Sequence, residues 1–228
     1  MKKYNASTVA EKIVQFCIST NKKFIFISGN GGSGKTELSK IISKEATKHA
    51  RINFLEMDDF VVDTKLRNSA TTTWDDAQKN KRTGRYTTSF EASYFLQSIK
   101  AIIYNIEKGN NYYHWPKKAK ESKECRLLYG NATLTIIEGV GTVFLEKEKS
   151  NSVSIFLICT EKLEIDRRIK RARADNEKTA EEVKKNFNER NSQYKTIIKP
   201  HIKEYDFVLE SKENFSLSVI RDNLNILK

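Results

Sequence analysis

Residues 23–36 read Lys23-Phe24-Ile25-Phe26-Ile27-Ser28-Gly29-Asn30-Gly31-Gly32-Ser33-Gly34-Lys35-Thr36, and this stretch decides the fold. Its first half is a continuous apolar, β-branched run, which suits a strand buried on both faces of a parallel sheet. Its second half fits G-x-x-x-x-G-K-[ST] without a gap. Glycines let the backbone wrap so that successive N–H groups converge on phosphate oxygens, and a helix following the loop adds its positive end. A helical pattern does follow, from about Gly34 to Lys48. The whole loop, Gly29, Asn30, Gly31, Gly32, Ser33, Gly34, Lys35 and Thr36, is therefore expected to cradle a nucleotide. Lys35 reaches the β and γ phosphates and the Thr36 hydroxyl ligates Mg²⁺.

Working outward, the same alternation repeats. Before the loop, Val9, Ile13, Val14 and Cys17 fall on one face of a helix opened by Ser7-Thr8. After it, Ile52–Met57, Leu134–Ile137, Val153–Cys159 and Phe207–Leu209 read as further strands. Helices are expected from Phe90 to about Lys108, behind a capping box of Thr88 and Glu91, and from Thr160 to about Ala174. Two more are expected, one after a Thr179/Glu182 capping box and one from about Ser216. Residues 61–87 are polar and poorly periodic, and read as loop and short helix. Strands alternating with helices predict an α/β fold with a mainly parallel sheet. No repeat or low-complexity linker divides the chain, so residues 1–228 are expected to form one domain.

Composition narrows the setting. Of 228 residues, 38% are hydrophobic, enough for an ordinary globular core, and no apolar run approaches the roughly 20 residues that cross a bilayer. The polar start lacks a signal-peptide core, so a cytoplasmic protein is expected. The three cysteines, Cys17, Cys125 and Cys159, are too few and too far apart for a disulfide framework. Cys17 and Cys159 are expected in the core. A net charge of +12 favours anionic partners, but the lysines are spread along the chain. That spread suits a solvated basic surface better than a nucleic-acid footprint.

Carboxylates are expected beside the loop. Glu138 ends a buried strand, where an open α/β sheet places its ligands, and is expected near the metal. Asp58 and Asp59 end another strand at the same edge. A phosphoryl-transfer site needs a group that accepts the attacking hydroxyl's proton. Either aspartate can serve while the other orients it or touches the metal. Arg167, Arg168, Lys170, Arg171 and Arg173 crowd one helix. Arginines stabilise charge spread over phosphoryl oxygens, but helical geometry keeps some of them facing water.

Five marks in order resemble one family: Gly29–Thr36; Met57-Asp58-Asp59-Phe60; Ser89-Phe90-Glu91; Ile136-Ile137-Glu138-Gly139; and Arg167–Arg171. They are similar to the uridine kinase and phosphoribulokinase group of P-loop kinases, which also holds pantothenate and nicotinamide riboside kinases. The resemblance runs from about Phe24 to Leu209. It implies a three-layer P-loop sandwich like that of nucleoside monophosphate kinases, with five parallel strands and a lid-like segment over residues 160–180. It implies Asp58 as base, Glu138 beside Mg²⁺, and Arg171, then Arg167, over the ATP phosphates. The implied reaction is ATP- and Mg²⁺-dependent phosphorylation of a small-molecule hydroxyl.

For the acceptor, Asp59, Arg85, Tyr113, His114 and Trp115 are the candidates. Arg82 and the Trp74-Asp75-Asp76 loop are weaker ones. Where uridine kinases carry Tyr-Asp-Phe and then His-Ser-Arg, this chain reads Tyr112-Tyr113-His114-Trp115-Pro116-Lys117-Lys118. A macromolecular hydroxyl kinase and a nucleotide-gated regulatory ATPase are the rival readings.

Overall fold

The computed structural model describes residues 3–117, 124–147, 150–174 and 179–227. Lys118 and residues 175–178 of the expected lid-like segment lie outside them. In chain order the elements are β1 (Lys3–Tyr4), α1 (Ala6–Ser19), β2 (Phe24–Gly29), α2 (Lys35–Ala46), β3 (Ile52–Glu56), α3 (Thr64–Ser69), β4 (Thr71–Asp75) and β5 (Lys81–Arg85). Then follow α4 (Leu96–Glu107), β6 (Tyr112–His114), β7 (Arg126–Leu128), β8 (Leu134–Glu138), β9 (Ser152–Ile158), α5 (Glu161–Ala174), α6 (Ala180–Gln193), β10 (Phe207–Ser211) and β11 (Leu217–Asp222).

Five parallel strands, in the order β10-β9-β2-β8-β3, make the sheet's centre. Alternation along β2 explains its two covered faces. Ile25 and Ile27 join Val9, Ile13 and Ile42 of α1 and α2 on one side. Phe24 and Phe26 join Ile99, Ile102 and Ile106 of α4 on the other. The result is three layers, helix on sheet on helix. Burying each such side chain contributes about 1.5–3 kcal/mol, so these rows hold the strands in register. That register brings Ile27 and Glu56 each opposite Glu138. The carboxyl ends of β2, β3 and β8 therefore finish together, at one edge. Among the described residues no helix is long and apolar enough to cross a membrane.

Three expectations are corrected. The chain does not close with a helix from Ser216. Phe215, at φ +58°, turns it back so that β11 runs antiparallel to β10. Leu217 is buried there and the β-branched Val219 suits the pleat. With β1 added outside β11, the sheet has seven strands, two more than the five expected.

The helix expected from Phe90 to Lys108 is broken. A single 3₁₀ turn covers Glu91–Ser93, Tyr94 and Phe95 follow, and the α-helix begins only at Leu96. Tyr94 is extended because its ring is drawn into the core, where its hydroxyl donates to the Thr88 carbonyl at 2.8 Å. The Thr88/Glu91 capping box does not form. The Thr179/Glu182 box does.

Third, the stretch expected as loop and short helix holds α3 but also the hairpin β4–β5. It packs against α6, with Trp74 Nε1 donating to Ser192 Oγ at 3.2 Å.

Candidate active site

The loop between β2 and α2 lines a cleft of about 220 Å³ at the carboxyl edge of the sheet. Lys35 Nζ donates to the Asn30 carbonyl at 2.9 Å, which holds the side chain back over the loop. Burial pushes its ammonium below the ordinary value, while Glu138 and then Asp58 oppose that shift. A cation so desolvated gains more from an incoming phosphate than a solvated lysine does. Two buried oxygens of the loop, Asn30 Oδ1 and Ser33 Oγ, have no hydrogen-bond partner. Orphaned polar groups are costly inside a protein. Their place in a phosphate-binding loop is consistent with a site completed by ligand.

Thr36 Oγ1 stands 3.2 Å from Glu138 Oε1. Glu138 is 7% exposed. Burial pushes its carboxyl up, and the Lys35 ammonium pulls the other way. Asp58 lines the same cleft, and its carboxylate makes no hydrogen bond among the described residues. Magnesium is held by one or two protein oxygens together with nucleotide phosphates, not by a dedicated cage. The hydroxyl of Thr36 and carboxylate of Glu138 fit that requirement. No group of three or more metal-binding side chains occurs among the described residues.

Asp59 behaves differently from its neighbour. Its carboxylate accepts from the Lys117 N–H at 2.8 Å and lies 3.2 Å from His114 Nε2. His114 in turn stacks on Phe60 at 4.9 Å. Burial alone would raise the Asp59 carboxyl, but these hydrogen bonds outweigh it and hold the group below the usual range. Asp59 thus ties the β6 strand to the turn after β3, which leaves Asp58 as the aspartate that opens on the cleft. Tyr113 and Trp115 flank His114 and are 70% and 66% exposed. Arg85, the remaining acceptor candidate, donates to Glu189 at 2.7 Å and also bonds Asn186.

The arginine-rich helix α5 divides its charges. Arg171 and Arg168 line the cleft. The Arg168 guanidinium occupies the space that a side chain at Gly31 would need, so only glycine permits this approach. Arg168 is anchored by Glu164, with Nε–Oε1 at 2.8 Å. Glu164 also accepts from Asn30 Nδ2 at 2.6 Å, joining helix to loop. Arg167, expected over the phosphates, instead spends its donors on protein oxygens. They are the Gly32 carbonyl at 2.9 Å, Ser211 Oγ at 3.0 Å and the Lys212 carbonyl at 2.6 Å. Its guanidinium lies 4.2 Å from the centre of the Phe215 ring. Adjacent helical residues point about 100° apart, so Arg167 and Arg168 cannot both face the cleft. Cys159 is not a core residue as expected, but half-buried at the end of β9, 3.4 Å from Asn30 Nδ2.

Sequence reasoning missed Arg190, on α6, and Thr88, which both line the cleft. Neither belongs to a local motif. The Glu164–Arg168 pair did leave a signal, its i, i+4 spacing.

A family model described as "Phosphoribulokinase / Uridine kinase family" matches residues 24–218. Among solved structures, D-glycerate 3-kinase from Cryptococcus neoformans var. grubii superposes with a TM-score of 0.64 at 11% identity. That match covers 93% of this chain and 99% of that one. Phosphoribulokinase from Rhodobacter spheroides gives 0.59 at 16% identity, over 84% of this chain and 70% of that one. No curated protein gives a match. The structural likenesses establish the shared P-loop kinase fold, and the family model spans the loop, both cleft carboxylates and all of α5 and α6. On that match, the chain belongs to the phosphoribulokinase and uridine kinase family.

Proposed function

We propose that this protein transfers the γ-phosphoryl group of ATP to a hydroxyl of a small molecule, with Mg²⁺. The observation that carries the reading is the convergence of Lys35, Thr36, Asp58 and Glu138 on one cleft at the carboxyl edge of the sheet. Loop N–H groups and Lys35 bind the phosphates, and Arg168 and Arg171 balance charge on the transferring group. Thr36 and Glu138 would hold the Mg²⁺, which supplies neutralisation of phosphate charge when bound. Asp58 orients the acceptor hydroxyl and takes its proton. The oxygen bonds to phosphorus, the bond to the β-phosphate oxygen breaks, and ADP leaves. The chain acts as a single kinase domain, and its composition suits the cytoplasm.

A phosphoryl-transfer screen tests this, with nucleosides, vitamin precursors, sugar phosphates and hydroxy acids as acceptors and RNA and DNA 5′ ends alongside. Lys35→Ala is expected to lower turnover about 10²-fold or more. Asp58→Asn is expected to lower kcat about 10²–10⁴-fold with little change in ATP affinity, because a base acts in the chemical step. Near-normal turnover in either variant would remove that residue from its assigned role. The net charge of +12 keeps a polynucleotide acceptor as the second reading. Product only on nucleic-acid ends, lost steeply with salt, would favour it.

A further inference from the structure

Arg190 is a charge that no carboxylate pairs with directly among the described residues. It lines the cleft that also holds Asp58 and Thr88. Its Nε is buried with no hydrogen-bond partner, and it takes part in no ion pair among the described residues. Burial, and then the nearby Arg168, Arg85 and Arg67, push its guanidinium down to about 10, against a partial pull from Glu189. Two of the neighbouring carboxylates are already engaged, and Asp58, in the same cleft, forms no ion pair with Arg190. Glu189 accepts from both the backbone N–H and Nε of Arg85, and Glu164 holds Arg168. Arg67 spends its donors on the Val62 and Tyr86 carbonyls and the Thr64 hydroxyl. A half-buried guanidinium whose Nε is sealed from water without a partner, among like charges, is stabilised when an anion arrives.

Position says which anion. The phosphates of ATP already have the loop, Lys35, Arg168 and Arg171. Arg67 and Arg85 stand on α3 and β5, within the chain that follows Asp58. Arg190 lies one turn from Gln193, which is bonded to Thr87 and to the Arg85 carbonyl. Its charged neighbours are Arg168 on one hand and Arg85 and Arg67 on the other, so it reaches the cleft next to the segment that follows Asp58, and an acceptor approaching Asp58 from that side would meet it. We propose that the acceptor carries an anionic group, a phosphate ester or a carboxylate, which binds Arg190. This rests on the kinase reading and adds the substrate's charge to it. Arginine suits either anion because its planar fork donates two parallel hydrogen bonds.

The test compares wild type, Arg190→Gln and Arg190→Lys. Acceptors are D-ribose 5-phosphate, D-glycerate and uridine, with ATP binding and thermal unfolding measured in parallel. Turnover of one of the anionic acceptors and not of uridine is expected. Arg190→Gln should raise that acceptor's KM about tenfold or more, keep ATP affinity, and be partly rescued by lysine. Which acceptor responds separates phosphate ester from carboxylate. Arg190→Gln should also unfold at a higher temperature than wild type, since it removes a repelled charge. Equal use of uridine, with KM unmoved by the variant, overturns the inference and leaves the kinase reading intact. Loss of ATP affinity with acceptor KM unchanged assigns Arg190 to ATP and also overturns it. Preference for an oligonucleotide over both small anions does the same. If nothing is phosphorylated, binding decides. Stabilisation of the ADP-bound protein by inorganic phosphate, abolished in Arg190→Gln, keeps the anion site while the kinase reading falls. No such stabilisation removes the site.

Discussion

At Gly139 the backbone has φ +140°, and a Cβ built there would lie 2.5 Å from Met57 Cβ. Both facts bear on the site, because Gly139 follows Glu138 and Met57 precedes Asp58. Gly139→Ala is expected to cost about 1–3 kcal/mol of stability from strained backbone and to push the two carboxylates apart. A denaturant midpoint unchanged from wild type would show that the turn tolerates a side chain. The sequence announced the loop residues and the carboxylates because each follows a buried apolar run, so its place at the sheet edge came with the strand. Position at the strand end did not separate Asp58 from Asp59; only the family resemblance favoured Asp58, and the physical reason, the tie of Asp59 to His114, lies more than 50 residues away. Nor did the sequence mark Arg190, which acquires its meaning only when α6 folds against the insertion after β3. Arg167 and Arg168 are neighbours in sequence, and only the orientation of α5 shows which one faces the cleft.

Elements packed on both faces were the easiest to read. β2, β8 and β9 are apolar almost throughout, and a run of that kind has few alternatives. Elements with one solvated face were harder. β11 carries Leu217, Val219 and Ile220 among polar residues, a pattern short enough to pass for a helix. The Phe90–Lys108 segment has helical spacing throughout, yet the aromatic ring of Tyr94 gains more in the core than a continuous helix would give. At this scale Arg167 joins three elements: α5, the phosphate loop and the β10–β11 turn. Arg167→Ala is expected to weaken ATP binding and lower stability by about 1–3 kcal/mol, the range for charged hydrogen bonds, with kcat at saturating ATP little changed. A large fall in kcat at full saturation would return Arg167 to the chemical step.

For the whole molecule, pH is the broadest probe of buried charge. Burial pushes the Lys147 ammonium down to about 8, against a partial pull from Glu204. Its Nζ sits 5.0 Å from the Tyr205 ring centre and donates to the Leu145 carbonyl. An unfolded lysine keeps its proton to about 10.4. Between these values the unfolded chain holds more protons, so this group makes the fold more stable as pH rises from about 8 toward 10.5 and adds nothing further beyond. Cys17, which burial pushes up to about 12, acts in the opposite sense above pH 9. The expected result is therefore a difference: wild type gains on Lys147→Met across that interval and not below it. Parallel melting curves for the two proteins from pH 7 to 10.5 would refute it.

The packing of Trp74 against α6 has an optical consequence. The chain has two tryptophans. Trp74 is 9% exposed, with its indole N–H bonded to Ser192, while Trp115 is 66% exposed beside His114. Excited at the same wavelength, the two should emit differently, one blue-shifted by its apolar surroundings and the other red-shifted by water. Trp74→Phe leaves a reporter beside the acceptor candidates, and Trp115→Phe leaves one at the joint between hairpin and helix. The native chain thus carries two intrinsic fluorophores with which to time ligand arrival at one place and rearrangement at another, without a label.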